Sequence, residues 1–216
     1  MEGVLEWTQN AYVNFKDHNK HLIIIYLVNR ALLFYKNKFS KIDMNIVLLG
    51  YMGCGKTTIG KIISKVTGKK FIDLDSYIES KTNQTISDLF LLKGEIYFRK
   101  VESQYLQELI HHINDTVLSL GGGTPCYGSN MTTILNSEDV KSIYLKASIP
   151  SLINRLKNER NKRPLISHIK TNDELTEFIG KHLFERSPYY DQAHFKIITD
   201  NKSREEIVDE IIKVLI

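Results

Sequence analysis

Three observations predict an α/β fold: a three-layer α/β/α sandwich on a parallel five-stranded sheet. Five short apolar runs alternate along the chain with stretches whose apolar residues recur at helical spacing. The first run, Asn45 to Leu49, is rich in branched residues, as strands buried on both faces are. Between it and the first helical stretch lies a glycine-rich turn, Gly50 to Thr57.

Behind the turn, Ile59, Ile62, Ile63 and Val66 fall on one helical face, and Gly68 is placed to close that helix. Phe71 to Asp75 is predicted as the second strand; its two acids at i and i+2 point the same way from an extended chain. A helix is expected from about Glu95 to Asn114, with Phe98, Val101, Tyr105, Leu109 and Ile113 on its apolar face. Thr116 to Leu120 is the third strand and runs into Gly121-Gly122-Gly123. Ser142 to Leu145 is the fourth, after which Ser148 caps a helix reaching about Lys157. Residues 158–171 are polar and basic with one proline, and read as a mobile loop. Leu175, Phe178, Ile179, His182 and Leu183 mark the next helix, expected to stop before Pro188. Phe195 to Thr199 is the last strand. Ser203 and Glu206 have the spacing of a capping box, and the helix they open turns Ile207, Val208, Ile211, Ile212 and Leu215 inward.

Composition narrows the function classes. A formal charge of +4, with lysines and arginines scattered along the chain, describes a solvated surface rather than a nucleic-acid patch. Cys54 and Cys126 form no metal-ligand spacing and suit a reducing cytoplasm. Leu22 to Tyr35 is apolar but interrupted by Asn29 and Arg30, too short and polar to span a bilayer, and no small-residue cleavage site follows it. Composition changes at Met44. We expect one domain over 44–216, with residues 1–43 an extension outside it or a mis-called start; an added amphipathic helix that docks elsewhere is the competing reading.

Gly50-Tyr51-Met52-Gly53-Cys54-Gly55-Lys56-Thr57 matches the phosphate-binding pattern G-x-x-x-x-G-K-[ST]. Glycines let backbone N–H groups close around phosphate oxygens, and the following helix N-terminus adds partial positive charge. Lys56 is expected to reach the β- and γ-phosphates of ATP, and Thr57 to hold Mg²⁺. The third strand lacks the terminal aspartate with which many nucleotide hydrolases hold their metal; the acids stand after the second strand instead, at Asp73 and Asp75. One can then serve the metal while the other faces an acceptor hydroxyl.

These features resemble the shikimate kinase family over nearly all of 44–216. The resemblance is carried by the P-loop at 50–57, Asp73-x-Asp75, Gly94-Glu95-x-x-Phe98-Arg99-x-x-Glu102, Ser119-Leu120-Gly121-Gly122-Gly123, Arg163-Pro164-Leu165 and Arg186-x-Pro188-x-Tyr190. It implies a P-loop NTPase fold of the nucleoside-monophosphate-kinase type with a mobile lid at about 158–171. It further implies transfer of the γ-phosphoryl of ATP to the 3-hydroxyl of shikimate by a cytoplasmic monomer, with Mg²⁺ and with neither nucleic acid nor membrane as partner. On this resemblance Lys56, Asp75 and Arg163 are catalytic, and Thr57 and Asp73 serve the metal. ATP is bound by Gly53, Cys54, Gly55, Lys56, Thr57, Thr58, Arg163 and Arg155, with the Asp200-Asn201-Lys202 turn near the adenine. Shikimate is bound by Asp75, Arg99, Gly121, Gly122, Gly123 and Arg186, with Phe90 and Phe98 as apolar walls. Gly122 is expected to let its backbone approach the substrate ring, and Glu102, one helical turn beyond Arg99, to orient that guanidinium.

A substrate-binding regulator that kept the fold and lost turnover is disfavoured by the intact Lys56, Asp73 and Asp75, and two further rivals stand beside it. A gluconate-type kinase is disfavoured by the two arginines and the triple glycine. A GTPase switch or nucleotide-sensing regulator is disfavoured because no Asn-Lys-x-Asp guanine-reading motif is present and the acceptor residues would have no purpose.

Overall fold

The computed structural model describes residues 42–157, 159 and 164–216. Five strands, β1 (Asn45–Leu49), β2 (Lys70–Asp73), β3 (Thr116–Ser119), β4 (Val140–Lys146) and β5 (Phe195–Ile198), form one sheet in the order β2-β3-β1-β4-β5. All neighbours are parallel. β1 lies in the middle and every one of its residues is buried, which is what its unbroken apolar run requires. It pairs with β3 on one side, Leu48 opposite Ser119, and with β4 on the other, Leu48 opposite Ile143. The chain therefore leaves β1 toward one edge and later returns to fill the other. That divergence opens a crevice at the carboxyl end of β1.

Helices cover both faces: α1 (Lys56–Thr67), α2 (Leu74–Thr82), α3 (Ile86–His112), α4 (Asn130–Leu135), α5 (Ile149–Leu156), α6 (Asn172–Tyr190) and α7 (Arg204–Leu215). Several ends follow their local signals. Gly68 ends α1 in a left-handed conformation with its N–H on the Ser64 carbonyl. Ser148 caps α5, and both hydrogen bonds of the Ser203/Glu206 capping box open α7, whose five expected apolar residues are all buried. A second capping box, Thr171 with Glu174, opens α6.

Other expectations change. β2 ends at Asp73, whose side chain caps α2 by accepting from the Ser76 N–H at 3.4 Å. Asp75 thus stands in the first turn of a helix, and the strand-end argument for the two acids does not hold; the strand-to-helix turn brings them together. The helix expected from Glu95 has a preceding arm from Ile86, capped by Thr85, and α4 was not foreseen. The two arms of α3 meet at Gly94, whose φ of 81° only glycine adopts without strain. α6 runs through Pro188 to Tyr190 instead of stopping. The proline removes one backbone donor near the helix end, and the Asp191 N–H closes the last turn on the Ser187 carbonyl at 2.8 Å. On α1, Ile59 and Ile63 are buried, but Val66 is exposed. Within the loop expected to be mobile, Arg163 lies outside the described residues, while Pro164–Ile166 forms a short 3₁₀ turn and Ile166 and Ile169 are buried. Residues 1–41 also lie outside the described residues; Ile42, ahead of the expected boundary at Met44, is buried in the core. No described helix is long and apolar enough to cross a membrane.

α1 is seated close on the sheet because Gly60 has no side chain. A Cβ there would lie 2.5 Å from Phe71 and 3.2 Å from Leu48. Gly60→Ala should therefore destabilise the fold by about 1–3 kcal/mol through overpacking, even though alanine is about 1 kcal/mol better than glycine inside a helix. Thermal unfolding checks this; an unchanged or raised Tm would mean that α1 can back away from the sheet freely.

Candidate active site

The crevice beside β1 is the mouth of a cavity of about 1100 Å³ that joins the glycine-rich loop to the arginines of α3 and α6. Of the residues expected to bind ATP, metal or shikimate, all but Arg163 and Phe98 line it, and of the Asp200-Asn201-Lys202 turn expected near the adenine only Lys202 does. Arg163 is outside the described residues. Phe98 is buried behind the wall, its ring 4.5 Å from that of Phe90, so that Phe90 faces the cavity and Phe98 backs it.

The loop at 50–57 is held from within. Lys56 is nearly buried and donates to the carbonyls of Gly50 at 2.8 Å and Tyr51 at 3.1 Å. An ammonium has three N–H donors, and the third has only the weak Cys54 sulfur acceptor at 3.9 Å, which an anion would outcompete. Arg155 braces the loop from α5, donating to the carbonyls of Gly53 and Cys54 at 3.3 and 3.2 Å and to the carbonyl and hydroxyl of Thr199. Asp200, beside it, caps the start of α5 through Ser148.

Thr57 donates its hydroxyl proton to Asp73 Oδ2 at 3.0 Å. This leaves the Thr57 oxygen lone pairs and a carboxylate edge on one spot beside the phosphate loop. No cluster of three or more His, Cys, Asp or Glu able to hold a metal occurs among the described residues. The oxygen-only pair suits Mg²⁺, which takes one or two protein oxygens and fills the rest of its octahedron with phosphate and water.

Burial pushes the Asp75 carboxyl up to about 6 from its ordinary 3.8; Asp73 and Glu102 push the same way, Lys56 opposes them, and Glu79 adds to the rise. Its Oδ1 lies 3.0 Å from where a Gly121 Cβ would stand, so only glycine leaves it room. A carboxylate with a proton affinity near neutrality can take a proton from a hydroxyl that is becoming a nucleophile.

Arg99 is held on three sides. It donates to Glu102 Oε2 at 2.8 Å and to Glu95 Oε1 at 3.2 Å, and lies 4.1 Å from the Tyr127 ring centre. Burial works against its charge, but the ion pair and hydrogen bond with Glu102, with Tyr127 and Glu95 added, outweigh it and raise its proton affinity further. Glu102 therefore has the orienting position expected of it. A Cβ at Gly123 would meet the guanidinium nitrogens at 2.9 Å. At Gly122 the space left by the missing side chain is toward the P-loop, where a Cβ would lie 3.2 Å from the Met52 nitrogen.

Arg186 faces the same cavity from α6, 5.7 Å above the ring of Tyr51. Tyr51 in turn shares a 3.2 Å hydrogen bond with His182 Nδ1. One helical turn beyond Arg186, Tyr190 donates to the Gly122 carbonyl. Cys126, between the two arginines, is no nucleophile: burial pushes its thiol up to about 11 despite Arg186 and Arg99.

Sequence reasoning missed Glu79, Ile86 and Leu91, which line the acceptor end of the cavity from α2 and the first arm of α3. The Thr85/Asp88 cap was the available signal for that arm; Asp88 N–H donates to Thr85 at 3.1 Å. Also missed were Arg204 and Ile207 at the nucleotide end.

Known proteins share this sequence pattern and this fold. The family model described as "Shikimate kinase" matches residues 52–216. The shikimate kinase of Flavobacterium johnsoniae is 48% identical over 170 residues, which cover 79% of this chain and 98% of that protein. The crystal structure of shikimate kinase from Bacteroides thetaiotaomicron superposes with a TM-score of 0.73 at 35% identity, covering 80% of this chain and 98% of the other. Shikimate kinase from Acinetobacter baumannii in complex with shikimate gives 0.70 at 31% identity, covering 80% and 92%.

The Asp75 environment has a consequence for stability. Its folded-state pKa is raised, so the native state binds that proton more tightly than the unfolded chain does. Stability therefore falls as pH rises from about 4 to about 6, and the whole penalty stands above that window. In metal-free buffer, Asp75→Asn should be more stable than the parent by about 2–3 kcal/mol near neutral pH, an advantage that shrinks by about half at pH ~5. Denaturant unfolding at the two pH values measures it. Equal stability at both would mean that the carboxylate sits in the fold without strain.

Proposed function

The chain belongs to the shikimate kinase family, and from that premise we propose how its residues divide the work. The reaction transfers the γ-phosphoryl group of ATP to the 3-hydroxyl of shikimate, giving shikimate 3-phosphate and ADP, in chorismate and aromatic amino acid biosynthesis. The observation that carries the assignment of roles is one cavity that holds the phosphate loop, the near-neutral carboxyl of Asp75 and two arginines on separate helices.

ATP lies along Gly53, Cys54, Gly55, Lys56, Thr57 and Thr58, with Lys56 following negative charge on the β- and γ-phosphates as it moves toward the leaving ADP. Arg155 flanks the adenine while bracing the loop. Thr57 and Asp73 would hold Mg²⁺, Asp73 through coordinated water. When bound, that ion neutralises phosphate charge. The shikimate carboxylate, an anion with two in-plane oxygens, is gripped by Arg99 and Arg186, whose flat guanidinium groups match it. Gly121, Gly122 and Gly123 close the cavity floor, and Phe90, backed by Phe98, is the apolar wall. Thus held, the acceptor presents its 3-hydroxyl to Asp75. The hydroxyl oxygen attacks the γ-phosphorus, its proton passes to the Asp75 carboxylate, and the bond from the γ-phosphorus to ADP breaks. Most of the acceleration comes from positioning and fixed charge. Arg163, which lies outside the described residues, is assigned by the family resemblance to the transferring group, where its positive charge would offset charge shifting in the transition state.

The catalytic unit is residues 44–216. It acts as a cytoplasmic monomer on free ATP and shikimate, with no nucleic-acid or membrane partner.

ADP release with ATP and Mg²⁺ tests the reading on a panel of shikimate, gluconate, a nucleoside monophosphate and no acceptor. Turnover is expected with shikimate alone and is expected to be lost when the metal is chelated. Asp75→Asn should lower kcat by about 10²–10⁴-fold with ATP binding retained; a kcat within a few-fold of the parent would remove Asp75 from the proton transfer. A chain beginning at Met44 should keep full kcat, and a loss there would extend the catalytic unit upstream.

A further inference from the structure

We infer that Thr124 is a positioning residue for the phosphoryl acceptor: its hydroxyl fixes the Glu102 carboxylate, and that carboxylate fixes the Arg99 guanidinium. The inference rests on the reading of Arg99 as a clamp on the acceptor carboxylate.

Glu102 is only 1% exposed, and a carboxylate that deep needs hydrogen bonds to keep its charge. Each of its oxygens has its own partner. Oε2 accepts from Arg99 at 2.8 Å, and Oε1 accepts from the Thr124 hydroxyl at 2.6 Å. The single hydroxyl proton of Thr124 is thereby committed to Glu102. Thr124 is itself fully buried and held in place: its carbonyl accepts from Asn130 Nδ2 at 2.8 Å. Asn130, also fully buried, accepts from the Ser103 hydroxyl at 2.5 Å. Ser103 and Glu102 are neighbours on α3, so the polar links run from α3 to the 3₁₀ turn Thr124–Cys126, on to α4, and back to α3.

Gly121 makes room for this arrangement. A Cβ at that position would lie 2.9 Å from Thr124 Oγ1, 3.1 Å from Glu102 Oε1 and 3.0 Å from Asp75 Oδ1. Two carboxylates therefore approach the same glycine from different helices. With its Oε1 engaged by Thr124, Glu102 turns its other oxygen to the guanidinium. Without the hydroxyl, Oε1 is an unpaired buried acceptor close to a second carboxylate, and Glu102 loses its fixed orientation. Arg99 would then depend on the Tyr127 ring and on Glu95, whose side chain is 54% exposed, whose Oε1 also accepts from the Tyr127 hydroxyl, and whose hydrogen bonds to Arg99 are longer, at 3.2 and 3.3 Å. A clamp set by a solvated side chain is a loose one.

The test uses the full chain and steady-state kinetics with shikimate and ATP varied separately. Thr124→Val keeps the shape and Thr124→Ala reduces it, but both lack the hydroxyl; Thr124→Ser keeps it. Both hydroxyl-less variants are expected to raise the shikimate KM by about tenfold, with kcat reduced less than the KM is raised and the ATP KM unchanged. Thr124→Ser should stay within about twofold of the parent. Arg99→Lys is run alongside. If Arg99→Lys raises the shikimate KM and the hydroxyl-less variants do not, Thr124 has no positioning role although the clamp stands. If Arg99→Lys leaves that KM unchanged, the clamp reading falls and this inference with it. A KM that tracks side-chain volume, with Thr124→Ser and Thr124→Ala equally affected, overturns the inference in favour of packing. Should Thr124→Val fail to fold, the Thr124→Ser and Thr124→Ala pair decides.

Discussion

Everything in this molecule depends on the burial of β1 between two diverging halves of a parallel sheet. Parallel strands need crossovers, and crossovers that leave β1 for opposite edges cannot both cover its carboxyl end. The crevice that results is a topological necessity rather than a local excavation. The phosphate loop emerges there because it directly follows β1. The glycine triplet arrives beside it because β3 pairs with β1, with Ser119 in register with Leu48. α6 reaches the same place from the far side of the sheet, and its Tyr190 is tied to Gly122.

Within that crevice the charges are sorted by how they are held. The basic groups are anchored to neutral carbonyls or to buried acids: Lys56 to the loop backbone, Arg155 to the loop and Thr199, Arg99 to Glu102. The acidic groups differ in their partners. Asp73 is engaged by the Thr57 hydroxyl and a helix N–H, and Glu102 by a cation and a hydroxyl. Asp75 is left with burial and, Lys56 apart, like-charged neighbours, which is why its proton affinity rises. Three carboxylates of ordinary chemistry thus acquire three different jobs from their surroundings.

Much of this was legible where one residue type has one local use. The phosphate loop, the Gly68 stop, the Ser148 cap and the Ser203/Glu206 box all depend on neighbours a few positions away. The misreadings occurred where one residue serves two purposes or where partners are distant in sequence. Asp73 both ends β2 and caps α2, so that an extended reading ran two residues too far. Pro188 is a helix breaker in isolation, but near a helix end the packing of Tyr190 overrides it. Phe98 shares its motif with Arg99, yet periodicity could not say that it stands behind Phe90 rather than beside it. The Thr124 contact with Glu102 spans 22 positions and that of Tyr51 with His182 spans 131, distances at which sequence spacing carries no signal.

The break in α3 at Gly94 has one more implication. Phe90 lies on the arm before the break, while Arg99 and its buried anchor Glu102 lie on the arm after it. The side chain proposed as the apolar wall and the guanidinium proposed as the carboxylate clamp therefore stand on two arms, one on each side of the non-helical Gly94. On that proposal, substitutions on the first arm would reshape the wall through the 4.5 Å contact of Phe90 with Phe98 while leaving the Arg99–Glu102 ion pair of the second in place. In a lineage that descends by small steps, such modularity separates the question of which anion is accepted from the question of which body that anion carries.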